Sequence, residues 1–178
     1  MLSAEQALER LKKGNLSYQQ ESSFRGRVDG TLRQELAEDQ SPYAVVVSCS
    51  DSRVLPEAIF EAGLGELFTI RVAGNVICDH VLGSIQYAHE HLGCKLVVVL
   101  GHTHCGAVHA ALEGGTYGYA HRLISPIQQL VDEFSDGCMI ARAHACAGAR
   151  QVEEAFRRTD LSVQAALYDI VSGAVSWL

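Results

Sequence analysis

Three short stretches of the chain are almost continuously apolar and rich in β-branched residues, at 43–48, 67–70 and 96–100. Strands that are buried on both faces have such runs, whereas strands with one solvent-exposed face alternate apolar and polar residues. Stretches with helical spacing lie between the runs, most clearly at 79–92, where Gly93 supplies a stop signal. This alternation predicts an α/β fold with a central, mainly parallel β-sheet flanked by helices.

The N-terminal segment carries a helix signature. Ser3 and Gln6 form a capping box, which predicts a helix over the first twenty residues. Gly14 and Asn15 predict a break or fraying in that helix, and the polar residues up to 40 indicate a surface loop or a short helix.

The later part of the chain shows three more helical stretches and two strands. The helical stretches lie near 106–115, 122–134 and 139–158. The segments 163–168 and 174–178 are typical of strands joined by a turn, which predicts a C-terminal antiparallel hairpin at the edge of the sheet.

These elements predict one domain over residues 1–178. We expect a helical arm at 1–40, an α/β core at 41–158 and C-terminal strands at 159–178.

Composition and charge exclude some classes of function. Hydrophobic residues make up 48% and charged residues 20% of the chain, which is ordinary for a globular protein. The net charge of −7 and the lack of a Lys/Arg cluster argue against a nucleic-acid or membrane partner. The first residues lack a signal-peptide pattern, and no apolar run could span a bilayer, so we expect a cytoplasmic protein. In that reducing compartment the six cysteines are expected to be free thiols or metal ligands.

Chemically reactive side chains follow two of the apolar runs. The sequence CSDSR occupies 49–53 after the first run, and HTHCG occupies 102–106 after the third. The carboxyl ends of parallel strands are where open α/β sheets place their sites. Two cysteines and one histidine suit zinc, and three protein ligands leave the fourth position to water or to a further ligand, for which Asp51 is the candidate.

Each of these residues has an ordinary interpretation when it is taken alone. A single cysteine after a strand is usually a small buried hydrophobe, and an Asp and an Arg two residues apart are usually a weak surface pair. Taken together after two buried strands, they favour a zinc site in which Asp51 orients the attacking water and Arg53 keeps Asp51 ionised. The cysteines and histidines without comparable neighbours are expected to be structural thiols and helix-surface rings; they are Cys78, Cys94, Cys138, Cys146, His89, His91, His109, His121 and His144.

Together with three further stretches, the two motifs resemble the β-class carbonic anhydrases. The further stretches are ALERLKKGN at 7–15, RVAGN at 71–75 and ALYD at 166–169. The likeness runs from Ala4 to about Gly115 and resumes at 166–169, and its motifs are specific in combination.

The resemblance implies one zinc ion per subunit on Cys49, His102 and Cys105, with Asp51 and Arg53 as the catalytic dyad. It implies a homodimer or homotetramer, because in the family each site draws groups from two subunits. The further groups implied for the substrate site are Gln40 as a hydrogen-bond donor, the backbone N–H of Gly106 for the anion, and Phe68, Ala73 and Tyr87 around an apolar carbon dioxide pocket.

Members of the family are of two kinds, which differ in the fourth zinc position. In one kind water fills it, and in the other the aspartate can swing onto zinc when bicarbonate binds at a separate site that uses a Trp three residues before the first Cys ligand. Val46 occupies that position here, although Arg71, which also contacts that bicarbonate, is present. The resemblance therefore implies the open kind, with Asp51 as a zinc ligand only in a closed state.

One part of the chain departs from the family pattern. The family usually has another helix between its late long helix and the final strands, whereas only 159–162 separate these elements here. We therefore expect a shortened C-terminal region.

The expected activity is the reversible hydration of carbon dioxide to bicarbonate and a proton. Two alternatives remain open at this point. One is hydrolysis of carbonyl sulfide or carbon disulfide at the same site, and the other is a catalytically inactive zinc-binding or thiol-redox homologue.

Overall fold

The computed structural model describes residues 2–20, 24–114 and 117–178. The part of the predicted loop at 21–23 and the predicted helix end at Gly115 lie outside these residues.

A five-stranded sheet runs through the described part of the chain. Its strands are β1 (Ala44–Ser48), β2 (Leu67–Arg71), β3 (Leu96–His102), β4 (Ser162–Tyr168) and β5 (Val175–Trp177). The strand order is β2-β1-β3-β4-β5, and all neighbours are parallel except β4 and β5, which are antiparallel. The predicted mainly parallel sheet with an antiparallel C-terminal hairpin is confirmed.

Helices connect the strands. They are α1 (Ala4–Gln20), α2 (Gly30–Glu35), α3 (Pro56–Ile59), α4 (Asp79–Glu90), α5 (Gly106–Leu112), α6 (His121–Gln128) and α7 (Gly137–Ala155), with 3₁₀ turns at Ala73–Asn75 and Gly118–Ala120. The predicted helix at 122–134 is shorter than expected, because α6 ends at Gln128.

Both faces of the sheet are covered. Val46 of β1 packs in one cluster with Leu11 of α1, while Val47 packs on the other face with Ile85 of α4 and Val152 of α7. This two-sided burial explains why the strand sequences do not alternate.

The first helix is continuous through Gly14 and Asn15, so the predicted break is wrong. At Gly14 the helix lies directly against the backbone of Phe60, where a Cβ would come within 1.9 Å of the carbonyl oxygen. The glycine is needed for this close approach and does not end the helix.

Asn15 ties the first helix to two distant segments. Its buried amide group donates to the carbonyl oxygens of Ile59 at 3.3 Å and Gly173 at 2.9 Å. Its Oδ1 accepts from the N–H of Val175 at 2.9 Å, so α1 holds the loop before β5 in place.

The C-terminal region has the shortened connection that the sequence indicates. The described residues between Ala155, where α7 ends, and Ser162, where β4 begins, form no further helix. None of the helices in the described ranges is both long and apolar enough to cross a bilayer.

Replacing Asn15 by Ala should destabilise the fold. The change leaves buried carbonyl and N–H groups without partners, so we expect the free energy of unfolding to fall by about 2 to 3 kcal/mol in urea denaturation. The control is Gln19→Ala, which removes an exposed partner of Asn15 and should cost less than about 1 kcal/mol. Equal losses in the two variants would contradict the role assigned to Asn15.

Candidate metal centre

The two reactive loops leave neighbouring strands at the same edge of the sheet. β1 and β3 are paired in parallel, with Ser48 opposite Leu100. Cys49 follows the last residue of β1, and His102 is the last residue of β3, so the strand pairing itself brings the two loops together.

Cys49, His102 and Cys105 form one compact cluster. One potential ligand atom from each residue lies within 4.8 Å of the others, and all three side chains are buried. Among the described residues this is the group of His, Cys, Asp or Glu side chains that could hold a metal ion. The predicted ligand triad is therefore brought together as expected.

The histidine of the cluster presents one nitrogen for a metal. His102 Nδ1 lies 2.9 Å from the carbonyl oxygen of Thr103, which can only accept, so Nδ1 carries the hydrogen. The other nitrogen, Nε2, is fully buried and has no hydrogen-bond partner within the described part of the chain. A bare, buried lone pair beside two thiols fits a zinc ion, because zinc binds neutral imidazole and thiolate sulfur.

The two thiols share a proton. A hydrogen bond from Cys105 lowers the pKa of the Cys49 thiol, and the same interaction raises the pKa of Cys105. Because metal ions bind the thiolate form of cysteine, a divalent cation would replace the proton between the two sulfurs.

Backbone N–H groups support the Cys49 sulfur. The N–H of Asp51 lies 3.4 Å from Sγ and the N–H of Gly74 lies 3.2 Å from it. Gly74 has a φ of +69°, and a Cβ there would lie 3.0 Å from both Ala107 Cβ and Ile127 Cδ1. Only glycine suits this position, a requirement that does not follow from the sequence pattern around it.

Asp51 is held by Arg53 and stands apart from the ligand triad. Arg53 Nε donates to Oδ1 at 2.9 Å, and Nη2 donates to Oδ2 at 2.7 Å, which is a two-point charge-assisted pair. The guanidinium holds the pKa of the Asp51 carboxyl well below its usual range. Arg53 Nη2 also donates to the carbonyl oxygen of His104 at 3.1 Å, so the pair spans both loops.

Arg71 braces the loop that carries the first ligand. Its Nε donates to the carbonyl oxygen of Cys49 at 3.2 Å, and its Nη2 donates to that of Asp51 at 2.7 Å. Sequence reasoning named Arg71 only as a family residue for a second bicarbonate and missed this bracing role.

A cavity of about 630 Å³ opens beside the second ligand loop. Cys105 and Gly106 contribute to its wall, together with His104, His109 and Asp136. Gly106 directly follows Cys105, and Ala73 precedes Gly74, whose N–H contacts Cys49 Sγ, so the backbone at both predicted substrate positions adjoins the cluster.

The other three predicted substrate residues do not join the cluster in this chain. Gln40 is exposed and precedes β1, whereas Cys49 follows that strand, so the two lie at opposite ends of it. Phe68 pairs with Val45 near the start of β1, and its ring contacts Tyr87 with centroids 6.3 Å apart.

The prediction of helix-surface histidines is wrong for His144. That side chain is buried, and its Nε2 lies 2.9 Å from the carbonyl oxygen of Gly74. Burial lowers its pKa, so the ring is neutral. Ile140, Gly148 and Val152 repeat at intervals of four around it and are also buried, which is the periodic signal that could have revealed the position.

Comparison with known proteins gives consistent matches. A family model described as "Carbonic anhydrase" matches residues 44–150. Carbonic anhydrase 2 of Mycobacterium tuberculosis is 56% identical over 80 residues, which are 45% of this chain and 39% of that protein. The chain therefore spans about two fifths of the length of the curated relatives it matches.

Two solved structures share most of the fold. The β-carbonic anhydrase CafA of Aspergillus fumigatus is 31% identical, with a TM-score of 0.75 over 83% of this chain and 80% of that one. One of two tetrameric β-carbonic anhydrases of Sordaria macrospora is 26% identical, with a TM-score of 0.73 over 82% of this chain and 84% of that one.

Cys105→Ser should abolish tight metal binding. Serine replaces a thiolate by a hydroxyl, which is a poor zinc ligand at neutral pH. Elemental analysis of purified protein should give stoichiometric zinc for the unmodified chain and little for the variant. Cys138→Ser is the matched control, because Cys138 is exposed and lies outside the cluster. Stoichiometric zinc in Cys105→Ser would refute the ligand assignment.

Proposed function

The chain belongs to the carbonic anhydrase family, in its β class, and from this premise we propose that it catalyses the reversible hydration of carbon dioxide to bicarbonate with one zinc ion per subunit. The observation that carries the proposal is the buried Cys49, His102 and Cys105 cluster, with a bare His102 Nε2, beside an ion-paired Asp51.

When bound, zinc supplies Lewis-acid chemistry that lowers the pKa of water and makes hydroxide available near neutral pH. Asp51 accepts a hydrogen bond from that attacking water and so aims an oxygen lone pair at the substrate carbon. Because Arg53 lowers the pKa of Asp51, the Asp51 carboxylate is charged throughout the neutral and alkaline pH range. A rise of activity with pH near neutrality would therefore report ionisation of the water and not of Asp51.

Arg53 and Arg71 hold the side chain and the backbone of Asp51 in place. Arg53 occupies both carboxylate oxygens, and Arg71 fixes the backbone on either side of Ser50. These contacts favour the open kind of site, in which Asp51 stays off the metal and the fourth position is left to water. Val46 stands where the switching kind has the Trp of its second bicarbonate site. The side chain of Val46 is apolar and fully buried in the core, so it offers no donor to such an anion.

We place the substrate pocket between two copies of the chain. Gln40, Phe68 and Tyr87 lie away from their own metal cluster, as expected for groups that act in a partner's site. An exposed apolar groove supports burial in an assembly, since Phe24, Val28, Leu55 and Leu64 line it. A homodimer is the smallest assembly that completes the pocket, and a homotetramer would contain the same pairs.

We propose that residues 1–178 act as one domain in the cytoplasm. Leu11 of α1 packs in the same cluster as strands β1 and β3, so the N-terminal arm belongs to the core. The six cysteines are free thiols, which suits a reducing compartment.

Asp51→Asn should keep zinc and lose most of the turnover. The amide cannot offer the charged acceptor, so we expect kcat for carbon dioxide hydration to fall by about 10² to 10³ in stopped-flow assays. The control is Asp29→Asn, because Asp29 also pairs with an arginine two residues away but caps a surface helix, a role that Asn can fill. A near-normal rate in Asp51→Asn would contradict the assignment of Asp51 and Arg53 as the catalytic dyad.

The same assay separates the competing functions. The zinc-loaded chain is presented with carbon dioxide, carbonyl sulfide and carbon disulfide in parallel. Carbon dioxide should be turned over fastest. A faster sulfur substrate would favour the hydrolase, and no rate above buffer with any of them would favour the inactive homologue.

Mixing two inactive chains should restore activity if the pocket is shared. Gln40→Ala removes a group acting in the partner's site, and Asp51→Asn disables the chain's own site. Random pairing gives heterodimers in which one of the two sites is intact, so an equal mixture should recover about a quarter of the unmixed wild-type rate. Recovery no greater than the sum of the separate variants would contradict a shared pocket.

A further inference from the structure

His144 is a buried, polar side chain that the proposed mechanism leaves without a role. It lies on α7, outside the ligand triad, and its Nε2 is 2.9 Å from the carbonyl oxygen of Gly74. A carbonyl can only accept, so Nε2–H of the neutral ring is the donor.

Gly74 connects this hydrogen bond to the metal centre. Its carbonyl group accepts from His144, and its N–H donates to Cys49 Sγ at 3.2 Å. The residue has a φ of +69°, which glycine adopts readily. Because glycine adopts many other backbone conformations as readily, this one needs support from its surroundings. An anchor on its carbonyl group therefore fixes the direction of its N–H.

The helix that carries His144 is pressed closely onto the sheet. A Cβ on Gly101 of β3 would lie 3.0 Å from the carbonyl oxygen of Ala141, one turn before His144. A Cβ on Gly148, one turn after it, would lie 3.3 Å from Val99 Cγ1. With tight contacts on both sides, the imidazole has little freedom to move away from Gly74.

We propose that His144 is a positioning residue of the metal centre, which acts through Gly74 to hold an N–H donor on the Cys49 sulfur and so strengthens zinc binding. This inference rests on the proposed zinc site. A hydrogen bond to a ligand sulfur stabilises the thiolate against protons, so its loss makes protons compete better with the metal.

The test is the zinc affinity of two His144 variants, measured by competition with a chromophoric chelator. His144→Leu keeps the bulk but removes the donor, and should raise the dissociation constant for zinc about tenfold. His144→Gln places an amide N–H at the same number of bonds from the backbone, and should stay close to the wild-type value. In cobalt-substituted protein, the thiolate-to-metal absorption band should shift for Leu and not for Gln.

A destabilised control separates positioning from general stability. Val152→Ala opens a cavity under the same helix without touching Gly74, and should leave both the zinc affinity and the cobalt spectrum unchanged. The inference is overturned if His144→Leu binds zinc as tightly as wild type, if folded His144→Gln binds as weakly as His144→Leu, or if Val152→Ala weakens binding equally. If the wild-type chain bound no zinc, the proposed function would fail together with this inference. If the wild-type chain binds zinc and one of the three results above is found, only the inference about His144 fails.

Discussion

The parallel pairing of β1 with β3 fixes the distance between the two loops that hold the candidate metal ligands. With Ser48 opposite Leu100, Cys49 and His102 leave the sheet side by side. A slip of one residue would send the side chains of a strand to the opposite face and separate the ligands. Because β1 and β3 are buried on both faces, hydrophobic packing on either side holds this register, and the geometry of the centre depends on it.

Groups that do not bind metal decide how the centre can react. Two thiolates cancel the formal charge of a zinc ion, so such a site acidifies water less than a site with three neutral imidazoles, and its surroundings must help. Arg53 keeps Asp51 charged and occupies both of its carboxylate oxygens, while Arg71 holds the loop on which Asp51 sits. The hydrogen bonds around Cys49 are present in the fold itself, which means that little reorganisation is needed when metal binds.

The features that depend on local pattern could be predicted from the sequence, and those that depend on a distant neighbour could not. Apolar runs without alternation indicated the buried strands, and the residue types at their ends indicated the candidate metal ligands. Gly14 suggested a helix break, because only the approach of Phe60 shows that it serves close packing instead. The proposed role of His144 depends on where Gly74 places its carbonyl group, and the role proposed for Gln40 needs a second copy of the chain.

The proposed zinc site has three protein ligands, and Arg53 keeps its fourth position open by holding Asp51. A crystal structure of the zinc-loaded protein at neutral pH is the decisive test. We expect zinc bound by Cys49 Sγ, His102 Nε2 and Cys105 Sγ, with a non-protein oxygen in the fourth position and Asp51 still paired with Arg53. An Asp51 carboxylate bound to zinc, or zinc held by other residues, would contradict it.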